Sequence, residues 1–214
     1  MKDIGIFPTQ YGVASLILRE IPYRQEAYIR VHDVQPGELS LLLGECGDFC
    51  RACGAEKILW TGAETDGQPD MTIFRMQGTA WVDPNLLEQL FPVTEQTVAR
   101  WRSIYNDRMR AVPQARTLSF TDEKELCESL GAYFVHHDGE LLGIGWLDDP
   151  HLLAIASCKP GAGERVLHTL MSLVEGANMT LEVADRNQKA MALYEKNGFI
   201  PTGVASKWYF LNDK

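Results

Sequence analysis

LEVADRNQKAMALYEKNGF, residues 181–199, is the stretch that decides the fold. It opens as a short strand, with Leu181 and Val183 on one side and Glu182 on the other. The residues after the strand read as a helix. Asn187, Ala190 and Tyr194 fall at three- and four-residue intervals and form a single stripe, its ends about 10.5 Å apart along the axis. Asp185 and Gln188 fit a capping box at the helix start, which leaves Asn187 free for another task. Gly198 stops the helix.

Working upstream, the apolar run HLLAIASC, residues 151–158, reads as a strand. Gly161-Ala162-Gly163 separates it from a second amphipathic stretch, in which Val166, Leu167, Leu170, Met171 and Val174 recur at helical spacing until Gly176 ends it. A helix N-terminus preceded by glycines offers unpaired N–H groups and a partial positive charge, the two things a pyrophosphate needs. Gly-x-Gly taken alone reads by default as an ordinary strand-to-helix turn, and it is its position some twenty-four residues before Asn187 that favours the phosphate-binding reading.

The two stretches, in this order, resemble the GCN5-related N-acetyltransferases. In that family a strand is followed by an asparagine, an alanine, a Leu-Tyr pair and a terminal Gly-Phe; here these are Asn187, Ala190, Leu193-Tyr194 and Gly198-Phe199. Leu181-Glu182-Val183 is most similar to the ribosomal-protein alanine N-acetyltransferase branch. The resemblance implies an α+β fold with a mixed sheet, acetyl-CoA as cosubstrate and direct transfer of the acetyl group to a primary amine. It also implies that Tyr194 protonates the departing thiolate and that Asn187 hydrogen-bonds the pantetheine arm. Gly161, Ala162 and Gly163 would cradle the pyrophosphate, and the backbone of Ala154 to Ala156 would hold the thioester oxygen. The family usually places a glutamine or arginine three residues before the first glycine, where this chain has Cys158. Lys159 and Arg165 are candidates for the missing positive charge, and both also read as solvated surface residues. Glu182 is the candidate base, acting through water; a cross-strand ion pair explains it as well.

A lysine-type amine, with a pKa near 10.4, costs roughly 4.6 kcal/mol to deprotonate at pH 7, whereas an α-amine near 8 costs about 1.4 kcal/mol. A base therefore matters for the first acceptor and is almost optional for the second. The net charge of -9 favours cationic acceptors over nucleic acid, whose phosphates demand a basic surface. No apolar run approaches the roughly 20 residues that span a bilayer, and the N-terminus lacks the apolar core of a signal peptide. A cytoplasmic protein with five reduced cysteines and no membrane partner is expected. No feature specifies an oligomeric state.

The sequence divides near Phe91-Pro92. Residues 92–214 hold helices at 94–109 and 121–130, a hairpin of strands at 132–137 and 140–147 turning at Asp138-Gly139, the two stretches above and a closing strand at 207–211. Residues 1–91 form a smaller α/β region, with strand-like runs at 26–31, 57–61 and 71–76 and a helix-like run at 39–53. Its layout faintly repeats that around Gly163 to Val183, as a truncated, degenerate copy would. This degeneracy, with Cys158, motivates an alternative reading as a non-catalytic acyl-CoA-binding or sensing protein.

Cys46, Cys50 and Cys53 have the C-x3-C-x2-C spacing of an iron–sulfur ligand set. The same positions form one face of a helix, where reduced cysteine is a small buried hydrophobe. His136 and His137 point to opposite sides of a strand and are poorly placed to share an ion. No metal is expected. Trp101, Tyr105, Trp146 and Trp208 read as packing residues.

Overall fold

A computed structural model describes residues 1–80, 87–174 and 178–212 and divides the chain into two compact units, Met1–Ile73 with Val204–Lys214, and Phe74–Gly203. The larger unit carries the site. Its strands β6 (Gln89–Pro92), β7 (Ala132–His137), β8 (Glu140–Asp148) and β9 (His151–Ser157) run antiparallel in sequence order. Asp138 and Gly139 adopt φ of 48° and 77°, the left-handed pair that a two-residue hairpin between β7 and β8 requires. Helix α5 (Gly163–Met171) then crosses over to β10 (Asn178–Ala184), which lies parallel to β9. Helix α6 (Gln188–Lys196) comes next, and residues 74–79 of β5 (Met71–Thr79) stand beside β10. Gly176, read as the end of the α5 pattern, lies outside the described residues.

Each face of this sheet is covered. Val166, Leu167, Leu170 and Met171 of α5, with Tyr194 and Phe199, close over Leu152, Leu181 and Val183. On the other face Trp101 and Tyr105 of α3 (Val98–Met109) and Leu126 of α4 (Glu123–Glu128) pack on Phe134, Ile144 and Ala156. Trp101 and Tyr105 stack at 5.4 Å with Trp146 edge-on to both, and the Trp101 indole donates to the Tyr133 carbonyl at 2.9 Å. These rings are packing residues, as the sequence reading has them.

The fit of α5 on β8 depends on a glycine. A Cβ at Gly143 would stand 2.4 Å from the Ala156 carbonyl oxygen and 2.8 Å from Val166 Cγ2. Backbone cannot rotate aside, so Gly143→Ala is expected to destabilise by about 1–3 kcal/mol, lowering the melting temperature by roughly 2–4 °C per kcal/mol. An unchanged melting temperature would show that the strands have room to part.

In the smaller unit β1 (Ile4–Thr9), β2 (Gly12–Ile17) and β3 (Glu26–Val34) form an antiparallel meander, with the single turn α1 (Ile21–Arg24) between β2 and β3. Helix α2 (Leu39–Ala52) crosses to β4 (Lys57–Thr61), parallel to β3. Residues 204–210 of β11 (Ile200–Phe210) complete this sheet beside β4, with Tyr209 opposite Trp60. The connectivity β1-β2-β3-α2-β4 thus repeats β7-β8-β9-α5-β10. Cys46 and Cys50 are fully buried on α2, and burial pushes their thiols up to about 11 and about 12. They belong to the apolar core, as the helical-face reading has it.

The sequence places a break at Phe91-Pro92, but the units divide after Ile73 and again after Gly203. Phe91 and Pro92 pair with Phe134 and Tyr133 inside β6, an edge strand of four residues, too short to show a side-chain period. Strands β1 and β2, six residues each, also escape the sequence reading.

Candidate active site

Strands β9 and β10 pair at only two positions, Thr180 with His151 and Leu181 with Leu152, although each has seven residues. Beyond Leu152 and Leu181 the two strands part, leaving a wedge whose apex is the His151–Leu152 end. The register of β9 on β8 shifts at the same place: Trp146 faces Ala154 while Leu147 faces Leu152, so Leu153 is an extra, bulged residue. Within the wedge, alternate N–H groups of β9 have lost the partner strand that would have taken them. Ala154 and Ala156 turn their side chains to the α3 core, so only backbone from this segment is offered to the wedge.

The open end of the wedge leads to the glycine loop. From Leu152 to Ser157 the strand runs about 17 Å, long enough for an extended pantetheine arm. Gly161 has φ of 78°, which accounts for glycine there without a ligand. Gly163 differs. Its Cβ would meet nothing nearer than Leu193 Cδ2 at 3.6 Å, an ordinary contact, so neither packing nor backbone geometry excludes a side chain at this helix N-terminus. Ala162 is the N-cap, and the N–H groups of Gly163, Glu164 and Arg165 donate to no acceptor among the described residues. The loop therefore presents a row of open donors with the positive end of α5 behind them.

Lys159 and Arg165 stand beside this loop but are already paired. Lys159 Nζ lies 3.2 Å from Glu140, and Arg165 holds the buried carboxylate of Glu88. Burial works against that carboxylate's charge, yet the Arg165 hydrogen bond keeps Glu88 below its ordinary range. Further positive charge comes from α3, a source the sequence reading does not include. Burial pushes the Cys158 thiol up while Arg108 and Arg100 pull it the other way, so both guanidinium groups are close to the loop. Arg100, Ile104 and Arg108 recur every four residues, a spacing that could have revealed this face.

Asn187 is the N-cap of α6, its side-chain oxygen accepting the Ala190 N–H at 3.3 Å. This corrects the expectation that Asp185 and Gln188 would relieve it of capping. The turn after Ala184 shifts the helix start by two residues, and an asparagine at that point makes the cap worth about 1 kcal/mol. The Asn187 amide hydrogens still have no acceptor among the described residues.

Tyr194 is 6% exposed and packs on Phe199, and its hydroxyl has no hydrogen-bond partner among the described residues. Burial pushes its phenol well above the ordinary 10.0, so it remains a proton donor through neutral pH. Glu182 sits on the face of β10 away from α5 and α6, with its side chain 48% exposed and 3.7 Å from Arg75 on β5. Of its two readings, the cross-strand ion pair is the one present; at this exposure such a pair contributes roughly 0–1 kcal/mol.

No protein-family model and no curated protein matches the sequence. Among solved structures, the chain is similar to a GCN5-related N-acetyltransferase from Sphaerobacter thermophilus, with TM-score 0.55 and 12% identity over 93% of this chain and 76% of that one. A putative acetyltransferase from Pyrococcus horikoshii gives TM-score 0.57 and 13% identity over 95% and 70%. A tandem protein of the same family from the clavulanic acid biosynthesis pathway gives TM-score 0.53 and 15% identity over 94% and 78%. At these identities the likeness is one of fold. The parallel strands that part beyond two residue pairs, the glycine loop and the helix order all fit it, and the chain has the fold of the GCN5-related N-acetyltransferases.

Proposed function

We propose that the protein transfers an acetyl group from acetyl-CoA to a primary amine, directly and without a covalent enzyme intermediate. The observation that carries this reading is the wedge between β9 and β10, which opens onto unpaired donors at the α5 N-terminus. A thioester lying along β9 has its carbonyl oxygen at the bulge, where free backbone N–H groups can stabilise the oxyanion. Asn187 offers its amide hydrogens to the pantetheine arm, and Gly161 to Gly163 receive the pyrophosphate. The amine nitrogen attacks the carbonyl carbon, the carbon–sulfur bond breaks, and Tyr194 gives its proton to the leaving thiolate. The smaller unit is read as a degenerate copy of the same fold, and its contrast with the larger unit supports this. Its parallel pair β3–β4 stays in register over five positions, Glu26–Lys57 to Arg30–Thr61, and so leaves no wedge.

The acceptor class is a small amine or a peptide N-terminus, the latter in keeping with Leu181-Glu182-Val183. Calorimetric titration with acetyl-CoA, followed by thiol release across a panel of amines and peptides, tests the reading. Saturable binding with amine-dependent thiol release is expected. Binding without release from any amine would favour an acyl-CoA sensor, and no binding would remove both readings.

A further inference from the structure

At the apex of the wedge a histidine and a threonine join the two parting strands. His151 Nδ1 lies 2.6 Å from Thr180 Oγ1, across the first of the two positions at which β9 and β10 pair. Met179, Leu181 and Val183 fill the core under α5 and α6, so Thr180 and Glu182 project from the opposite face of β10. His151 must share that face to reach Thr180. It is partly exposed, and Nε2 has no hydrogen-bond partner among the described residues.

We propose that His151 accepts the proton of the incoming amine, with Thr180 fixing its tautomer. This rests on the acetyl-transfer reading. If Nδ1–H donates to Thr180 Oγ1, the lone pair of Nε2 is left facing the acceptor side. From His151 to the bulge at Leu153 is two residues, about 7 Å along the strand, a distance covered by the imidazole side chain together with one bridging water. Imidazole changes charge near neutral pH and suits this task. Glu182 pairs with Arg75 and lies on β10, one strand further from the bulge. Asp148, opposite His151 on β8, and Glu182, beyond Thr180 on β10, are the carboxylates facing the imidazolium that forms, and Asp149 is its near neighbour in the chain.

The protons balance. An ammonium substrate gives one proton through water to Nε2, and the freed nitrogen pair forms the C–N bond as the C–S bond breaks. Tyr194 protonates the thiolate and is restored by the second nitrogen proton, while His151 releases the first to solvent. Products are the amide, free coenzyme A and one proton.

His151→Gln is expected to lower kcat/KM for a lysine-type amine about 100-fold at pH 7 and to remove the acid limb of the pH–rate profile. An α-amine should suffer less, and the acetyl-CoA dissociation constant should stay the same. Wild-type rates and an intact acid limb in the variant would overturn the proposal. Nitrogen-15 NMR of the histidine-labelled wild-type protein supplies a test that needs no turnover. The Nδ1–H tautomer of neutral His151 is expected, and an Nε2–H tautomer overturns the proposal whatever the activity. Absence of turnover in the wild type counts instead against the acetyl-transfer reading.

Discussion

Gly163→Glu is expected to weaken acetyl-CoA binding roughly 200-fold while leaving the protein as stable as before. A carboxylate about 5 Å from a phosphate, at an effective dielectric constant near 20, costs about 3.3 kcal/mol per phosphate charge. One such charge gives more than two powers of ten in affinity. The fold should not suffer, because the new Cβ meets only Leu193 at an ordinary contact distance and a carboxylate in the first turn suits the helix dipole. Replacing glycine inside α5 with any other residue also removes backbone entropy from the unfolded chain. Calorimetry and a melting curve on the same preparation separate the two effects. Wild-type affinity would place the phosphates away from this loop, and loss of both affinity and stability would make the residue structural.

Tyr194→Phe should lower kcat by about 100-fold or more with little change in the acetyl-CoA dissociation constant. The ring fills the same volume against Phe199 and the α5 core, and the deleted hydroxyl has no partner among the described residues. Packing therefore gives no reason for the variant to unfold, which makes activity the informative readout. Loss of binding, or a fall in melting temperature, would show that the hydroxyl serves the structure. The phenol also fixes a direction in pH. Burial raises its folded value above the ordinary 10.0, so the folded state prefers the protonated form. Its contribution to stability is complete below pH 10 and is lost as pH rises beyond it. Alkaline unfolding should accordingly move to higher pH in Tyr194→Phe, whose ring has no proton to lose.

The site is legible where local sequence dictates local geometry. The spacing of Val166, Leu167, Leu170 and Met171 sets the buried face of α5, and Asp138-Gly139 sets the hairpin, because both depend on residues close in the chain. The stripe puts Asn187 with the right helix but misses its duty, since the choice of N-cap depends on where the turn after β10 ends. Lys159 and Arg165 read as free cations in the sequence, yet Glu140 and Glu88 reach them from elements 19 and 77 residues away. No pattern in either stretch announces those partners.

His151 shows the same limit from the other side. In the sequence it is the first letter of an apolar run, and Thr180 stands 29 residues further on. Only the parallel pairing of β9 and β10 brings the two together, at the place where the strands begin to part. What the sequence determined by itself is the order of strands and helices in residues 132–199 and the faces they bury, because side-chain period and turn chemistry act over a few residues. The tertiary structure alone decided how far β9 and β10 stay paired, which charges neutralise one another, and which strand segments complete each sheet. Those depend on backbone registers and on carboxylates brought from distant parts of the chain, and no short-range pattern encodes them.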